Sequence, residues 1–342
     1  MEKPVFILGS HKSGTSLVRN LFDGVPGLFV IPNEIHFFQY TGYGVDYALR
    51  HAKPRKLDFD TVVGKVRRAI EHANSKPESL RKHGDSYLPG RWDVEALVDY
   101  LQQHGADAFR QGDMRALFDC YVTALYVGLY GQPPTATRFV EKSVENAEFA
   151  AVLKVLYPDA RFIHVVRNPY ATLVSLRKFK TRQGRYPYLG QMIDSLRNSY
   201  YYLYQNPRHV ADYKIVRYED LLTDTHAQMQ ALAAFTEIPF SERLLEPTTL
   251  DAAWSGNSMS GRDFQGLSTY PISAWQKDIA PHEIACVNLL FDHVLTDYGY
   301  ERQPVPSGVY RPVRGEGPKT YVANRFLLQQ YRNLQGIEQH GI

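Results

Sequence analysis

The stretch VFILGSHKSGTSLVRNL, positions 5–21, restricts what this chain can fold into more than any other part of it. Four apolar residues at 5–8 predict a strand buried on both faces, the kind found in parallel sheets. They run into Gly9, a polar loop and Gly14, and a helical pattern begins near Thr15. A strand, a phosphate-sized loop and a helix in direct succession predict an anion site. Glycines let backbone N–H groups turn inward, and a helix N-terminus carries partial positive charge.

The loop departs from the Walker form in a way that separates function classes. Gly9, Ser10, His11, Lys12, Ser13 and Gly14 fill its first six places, but the seventh is Thr15 where that form has lysine. The lysine here is Lys12, two residues before Gly14, so its ammonium enters from a different side of a phosphate chain. A Walker lysine reaches the β- and γ-phosphates, and its absence argues against an ordinary ATPase, GTPase or kinase. Three readings stay open on this stretch alone: a phosphotransferase with a degenerate P-loop, a nucleotide-binding protein without turnover, and a plain glycine turn with one solvated lysine.

Composition narrows the classes further. The 342 residues allow about two domains, or one α/β domain with insertions. Hydrophobic residues at 44% and charged ones at 22% are those of a globular protein. A net charge of +3 is too small to imply a nucleic-acid partner, yet suits an anionic cofactor. Cys120 and Cys286 lie far apart with no metal-ligand spacing, so free buried thiols are expected, with no disulfide and no metal site. The sequence enters its first strand with no basic leader, and no apolar run approaches the ~20 residues of a membrane helix. The expectation is a soluble, cytoplasmic protein without membrane insertion.

Further along, 28–31 reads as a second strand closed by Pro32, which puts Asn33, Glu34, Ile35 and His36 at a site rim. From about 42 to 134 the pattern turns helical, at 58–74, 94–104 and 114–130. Two roles are open for this insertion: covering the sheet edge and shaping an acceptor pocket, or adding core. Alternation resumes with RFVEKS from 138, a helix at 146–156, a strand at 161–166, a helix at 170–180 with Pro169 in its first turn, a helix at 189–205, a strand at 213–216 and a helix at 221–236. The predicted fold is therefore a three-layer α/β/α unit with a mainly parallel central sheet and a P-loop-like nucleotide site, plus the helical insertion. A Ser/Gly-rich stretch at 250–271 predicts a long loop, of the length that is usually functional or disordered. A helix at 281–295 closes a single domain spanning 1–302, and 303–342 reads as a linker and a peripheral helix at 321–335.

Arg167 directly follows a buried strand, where a guanidinium can grip a phosphate bidentately. Ser175 lies two helical turns on, so both reach one phosphate group only if the loop folds back. Three strand ends thus call for one explanation: the Lys12 loop, Glu34, and RNPYATLVSLRK with Arg167 and Ser175.

Taken together these segments resemble the sulfotransferases that use 3′-phosphoadenosine 5′-phosphosulfate. PVFILGSHKSGTSLVRNL is similar to their 5′-phosphosulfate loop, FIHVVRNPYATLVSLRK to their 3′-phosphate segment, and VRYEDLL to the strand-to-helix turn that follows. The likeness covers roughly 4–34 and 138–222, with an echo at Ser273 to Trp275, and almost none of the insertion. NEIHFF is more similar to the glycan and protein-tyrosine branches, which place a catalytic glutamate near this point, than to the small-molecule branch with its later histidine.

The resemblance implies a role for each matching residue. Glu34 would be the general base, with His36 as the other candidate. Lys12 would stabilise the bridging oxygen, and Gly14, Thr15 and Ser16 would hold the 5′-phosphate within the loop that starts at Gly9, Ser10, His11 and Ser13. Lys142 would be a second cation at the sulfuryl group; the alternative is a surface ion pair with Glu141 or Glu145. Arg167 and Ser175 would bind the 3′-phosphate and Tyr218 the adenine. Ser273, Trp275 and Lys277 would close the donor from the C-terminal side, with Arg262 as an added phosphate contact. Two departures stand out: His11 where the family often has proline, and Lys12 where many glutamate-branch members carry arginine. The implied acceptor is a hydroxyl on a sugar, a lipid, a small metabolite or a tyrosine, the product is 3′,5′-ADP, and no metal is required.

Overall fold

Within the N-terminal apolar run, Phe6 and Leu8 join one core while Val5 and Ile7 join another, as the two-residue period of a strand requires. The computed structural model describes residues 1–43, 56–75, 88, 90–135, 138–180, 188–254, 256, 264, 266–305 and 315–340. In chain order its elements are β1 (Val5–Gly9), α1 (Thr15–Leu21), β2 (Leu28–Val30), α2 (Phe37–Tyr40), α3 (Phe59–Ser75), α4 (Val94–Gln111), α5 (Met114–Tyr130), β3 (Arg138–Glu141), α6 (Ala150–Leu156), β4 (Arg161–Val166), α7 (Pro169–Lys180), α8 (Leu189–His209), β5 (Tyr213–Arg217), α9 (Tyr218–Thr223) and α10 (Thr225–Thr236). A hairpin of β6 (Thr248–Thr249) and β7 (Ala252–Ala253) follows, then α11 (Tyr270–Ser273), α12 (Pro281–Leu290), α13 (Asp292–Asp297) and α14 (Pro318–His340).

The five main strands form one parallel sheet in the order β2, β3, β1, β4, β5. One face packs Phe6, Phe29, Phe139 and Phe162 against Phe118 and Leu125 of α5; the other packs Val5, Ile7, Val140 and Ile163 against α1 and α10. This is the predicted three-layer α/β/α arrangement. Glu141, the last residue of β3, is level with Phe6, so β1 runs on through Ile7, Leu8 and Gly9 above it. On its other side Gly9 pairs with Val165. The C-terminal edge of the sheet is therefore stepped, with a notch above β3. Beside the notch lies the crevice between β1 and β4, where connections leave in opposite directions and open α/β sheets bind ligands.

The described part of the insertion covers a face of the sheet and not its edge, because the aromatic side of β1, β3 and β4 needs an apolar layer and α5 supplies it. Helix α4 does not stop at 104. Gly105 lets the ring of Phe59 come so close that an added Cβ would sit 2.9 Å from its Cζ, and the helix ends at Gly112, which takes the left-handed conformation at φ 71. The predicted helix at 146–156 is a 3₁₀ turn at Val144–Ala147 followed by α6. The one at 221–236 is divided by Asp224, whose side chain accepts from Ala227 N and caps α10. The C-terminal helix packs on the domain: Leu328 is buried, and Asn324 Oδ1 accepts from Leu189 N at 2.8 Å. No helix among the described residues is long and apolar enough to cross a membrane.

Candidate active site

The loop after β1 takes its shape from two glycines and one strained lysine. Gly9 has φ 148, and a Cβ there would meet Val165 O at 2.7 Å; Gly14 has φ 103, and a Cβ there would run into the Tyr218 ring. Only glycine suits either place. Ser13 closes the turn with both its N–H and its hydroxyl on Ser10 O, at 3.1 and 2.8 Å. Lys12 is itself left-handed, at φ 68. Its carbonyl accepts from Arg167 Nη1 at 2.9 Å, and its ammonium lies 4.8 Å from the centre of the Phe179 ring.

Arg167 extends from the end of β4 across the crevice. Its Nη2 donates to Pro271 O at 3.1 Å, its guanidinium lies over the Tyr218 ring at 4.6 Å, and its buried Nε has no partner. An unpartnered buried N–H on a cation is costly unless an anion or water completes it. Ser175 faces the same cavity from α7. Tyr218 is the floor under Gly14 and Arg167.

The notch above β3 holds a charged cluster. Lys142 Nζ donates to Glu34 Oε1 at 2.5 Å, with the two side chains only 3% and 16% exposed. Lys142 is thus buried against Glu34 and does not stand at the surface. His36 Nδ1 donates to Glu145 Oε1 at 2.5 Å, while its Nε2 lies 3.7 Å from Glu34 Oε2. Burial opposes ionisation of Glu34, but Lys142, His36 and His11 outweigh it and bring its carboxyl down to about 2. Burial would likewise discharge His36, yet Glu145 and Glu34 raise it to about 9, so it is an imidazolium at neutral pH. His11 goes the other way: burial keeps it below the ordinary histidine value despite both carboxylates. Glu34, His36 and Glu145 also have ligand-type atoms within 4.8 Å of one another. The cationic places among them are held by the Lys142 ammonium and the imidazolium, so the set is charge-compensated as it stands.

These shifts predict how stability depends on pH. His36 holds a proton in the folded chain up to about 9 against an ordinary 6.5, so its stabilisation is complete below 6.5 and lost as pH rises through 9. Glu141, pushed up to about 8 chiefly by burial, changes in the same direction from 4.5 upward. Urea denaturation should therefore give a protein about 1–3 kcal/mol more stable near pH ~6 than near pH ~9.5. A flat profile across that interval would mean that His36 and Glu145 are not paired.

A single cavity of about 320 Å³ gathers His11, Lys12, Gly14, Thr15, Ser16, Glu34, His36, Lys142, Arg167, Ser175 and Tyr218. Gly9, Ser10 and Ser13 shape the loop from behind. Trp275 is stacked on Tyr170 at 5.2 Å and donates to Ile272 O, and neither it nor Ser273 nor Lys277 lines the cavity. Arg262 lies outside the described residues. Sequence reasoning missed the cavity's apolar end, formed by Leu17, Leu222, Trp254, Phe264 and Leu267, and its wall residue Phe179. The hairpin explains Trp254: Asn20 of α1 and Asp23 just after it bind Thr249 and Thr248, which fixes the start of the long loop beside that helix. The described part of the insertion lines none of the cavity, but Tyr121 of α5 donates to Ile35 O at 3.1 Å and so holds the Glu34 rim from outside.

The model of the sulfotransferase family matches residues 4–242. Among solved structures, the sulfotransferase domain of the Synechococcus PCC 7002 olefin synthase is similar over 89% of this chain and 98% of its own, at 20% identity and a TM-score of 0.52. The sulfotransferase domain from the curacin biosynthetic pathway is similar over 89% and 99%, at 16% identity and a TM-score of 0.51. At such identities the likeness speaks for the fold. No curated protein matches.

Proposed function

The chain belongs to the sulfotransferase family, and from that premise we propose that it moves a sulfuryl group from 3′-phosphoadenosine 5′-phosphosulfate to an acceptor hydroxyl, with Glu34 as general base. The observation that carries this reading is the convergence on one cavity of Lys12, Glu34, Lys142 and Arg167 from four different strand ends, with Ser175 from α7. The proposed site residues fit the donor part by part. The loop from Gly9 to Ser16 suits a 5′-phosphate, and Arg167 with its unpartnered Nε and Ser175 suit a 3′-phosphate. Trp254, Phe264 and Leu267 offer an apolar wall to a purine. Tyr218, under Gly14 and Arg167, braces the phosphate loop in this reading and does not take the base.

In the transfer, the bond between sulfur and the bridging phosphate oxygen breaks as the acceptor oxygen bonds to sulfur in line, and the acceptor's proton passes to Glu34. The protein's work is to position groups and neutralise charge. Lys12 meets the charge that grows on the departing phosphate. His36 is unsuited to be the base because it is already protonated at neutral pH. A carboxyl held at about 2 is a weak base, so we assign Lys142 a double role: sharing its charge with the sulfuryl oxygens loosens its hold on Glu34 and raises that carboxylate's basicity as the donor binds. The acceptor is a sugar, lipid, small metabolite or tyrosine hydroxyl. We take residues 1–302 as one sulfotransferase domain and 303–342 as its C-terminal extension.

Calorimetry separates this reading from a phosphotransferase with a degenerate P-loop. The chain should bind 3′,5′-ADP much more tightly than ADP, and Arg167→Ala should weaken the former by about 1.5–3 kcal/mol while leaving ADP nearly untouched. Equal affinity for the two nucleotides would sink the proposal. A transfer screen with labelled donor across glycans, lipids and phenols then identifies the acceptor.

A further inference from the structure

Ser143 follows Lys142 directly, is fully buried, and lines no part of the cavity. Its hydroxyl nevertheless makes three contacts, two of them at the catalytic rim. It accepts the backbone N–H of Ile35 at 3.1 Å and of His36 at 3.4 Å, and it donates to Glu141 Oε1 at 2.5 Å. Glu141, also fully buried, accepts on its other oxygen from Asn146 Nδ2. From the far side Tyr121 holds Ile35 O at 3.1 Å, so both backbone groups of Ile35 are gripped. His36 takes a left-handed conformation, φ 49 and ψ 36, that residues with a β-carbon seldom adopt. That conformation directs the imidazole at Glu145 and brings it near Glu34.

A buried carboxyl at a strand end is a costly way to fill space; an apolar side chain would do that better. Apart from Asn146, the groups served by Ser143 and Glu141 are the N–H groups of two successive peptides, the one joining Glu34 to Ile35 and the one joining Ile35 to His36. We propose that Ser143, backed by Glu141, is a positioning residue that fixes Glu34 and His36 by bracing the backbone between them. The inference rests on Glu34 being the base. Displacing that carboxylate by an ångström is enough to cost on the order of 10²-fold in rate.

The test needs no knowledge of the acceptor. The probes are release of sulfate from labelled donor with water as acceptor, 3′,5′-ADP binding, and the NMR titration of ¹³C-labelled His36, assigned with His36→Gln. Ser143→Ala should lower sulfate release roughly 10–10²-fold with 3′,5′-ADP affinity unchanged, and His36 should titrate well below its value of about 9 in the native chain. Glu141→Gln keeps an acceptor for Ser143, and its new amide can meet the unpartnered Asn146 Oδ1 once that amide turns over; it should retain the rate and lower the His36 titration less than Ser143→Ala does, by the loss of the Glu141 charge alone. An unmoved His36 titration in Ser143→Ala would overturn the brace. Should that variant not fold, amide exchange in the native protein decides: strong protection of the Ile35 N–H supports the brace, and exchange at the rate of an open loop refutes it. Failure of the underlying reading has a different signature, since Glu34→Gln would then release sulfate at the native rate, and that result would overturn both.

Discussion

Glu34→Gln should slow sulfuryl transfer by about 10²–10⁴-fold, the contribution of a positioned general base, while binding 3′,5′-ADP as the native chain does. Glutamine keeps the shape of the side chain and can still accept from Lys142 Nζ, which reaches Glu34 at 2.5 Å, so the notch stays assembled. What it cannot do is take a proton. Single-turnover transfer measured beside nucleotide calorimetry separates the two effects, and a binding protein without turnover would show neither loss. His36→Gln is expected to be milder, because the imidazolium removes no proton and acts by holding charge between Glu34 and Glu145. A Glu34→Gln enzyme as fast as the native one, beside an inactive His36→Gln, would exchange the two roles.

Lys142 determines how such rates should vary with pH. Its ammonium keeps Glu34 ionised far below neutrality, so the free enzyme should show no acid limb from the base above pH ~4. Losing Lys142 would let burial dominate, and the carboxyl would rise toward neutrality. Charge on Glu34 and basicity of Glu34 are thus opposed in the ligand-free site, and a second anion near Lys142 is the natural means of reconciling them.

The sequence made legible those parts of the site that sit at strand ends. Gly9, Gly14 and Arg167 are readable because a buried strand leaves few places for polar residues, and the first polar residues after one must lie at the sheet's edge. Glu34 followed from the same rule. Glu145 did not, because it occupies a 3₁₀ turn whose direction depends on the packing of residues after β3. Nor did Trp254, whose place depends on a two-rung hairpin pinned to the α1 region by Asn20 and Asp23. Contacts of that kind join segments more than two hundred positions apart and leave no local pattern. The insertion was readable as helices but not by location, since an amphipathic stripe states that a face is buried and not against which layer. Gly105 illustrates the limit most simply: a glycine that ends a helix and one that admits a neighbouring ring are the same letter.

The second large effect should come from Lys12. Lys12→Ala is expected to reduce transfer by roughly 10²–10³-fold, the usual cost of removing one preorganised group from the place where charge develops. The preorganisation is visible in three constraints on this one residue: a left-handed backbone at φ 68, a carbonyl bound by Arg167 Nη1 at 2.9 Å, and an ammonium set 4.8 Å from the Phe179 ring. The Arg167 contact ties the proposed 3′-phosphate residue to the lysine proposed for the leaving oxygen, so in this reading donor recognition and leaving-group stabilisation share one hydrogen bond. Arg167→Ala should accordingly lower turnover even at saturating donor, whereas Ser175→Ala, with no such bond to the loop, should act on affinity alone. Lys12→Arg, which keeps the charge, should recover much of the loss, and added ethylammonium should restore part of the activity of Lys12→Ala. Recovery by neither would show that Lys12 matters through the shape of its loop, and the charge argument would fail at the residue where it is strongest.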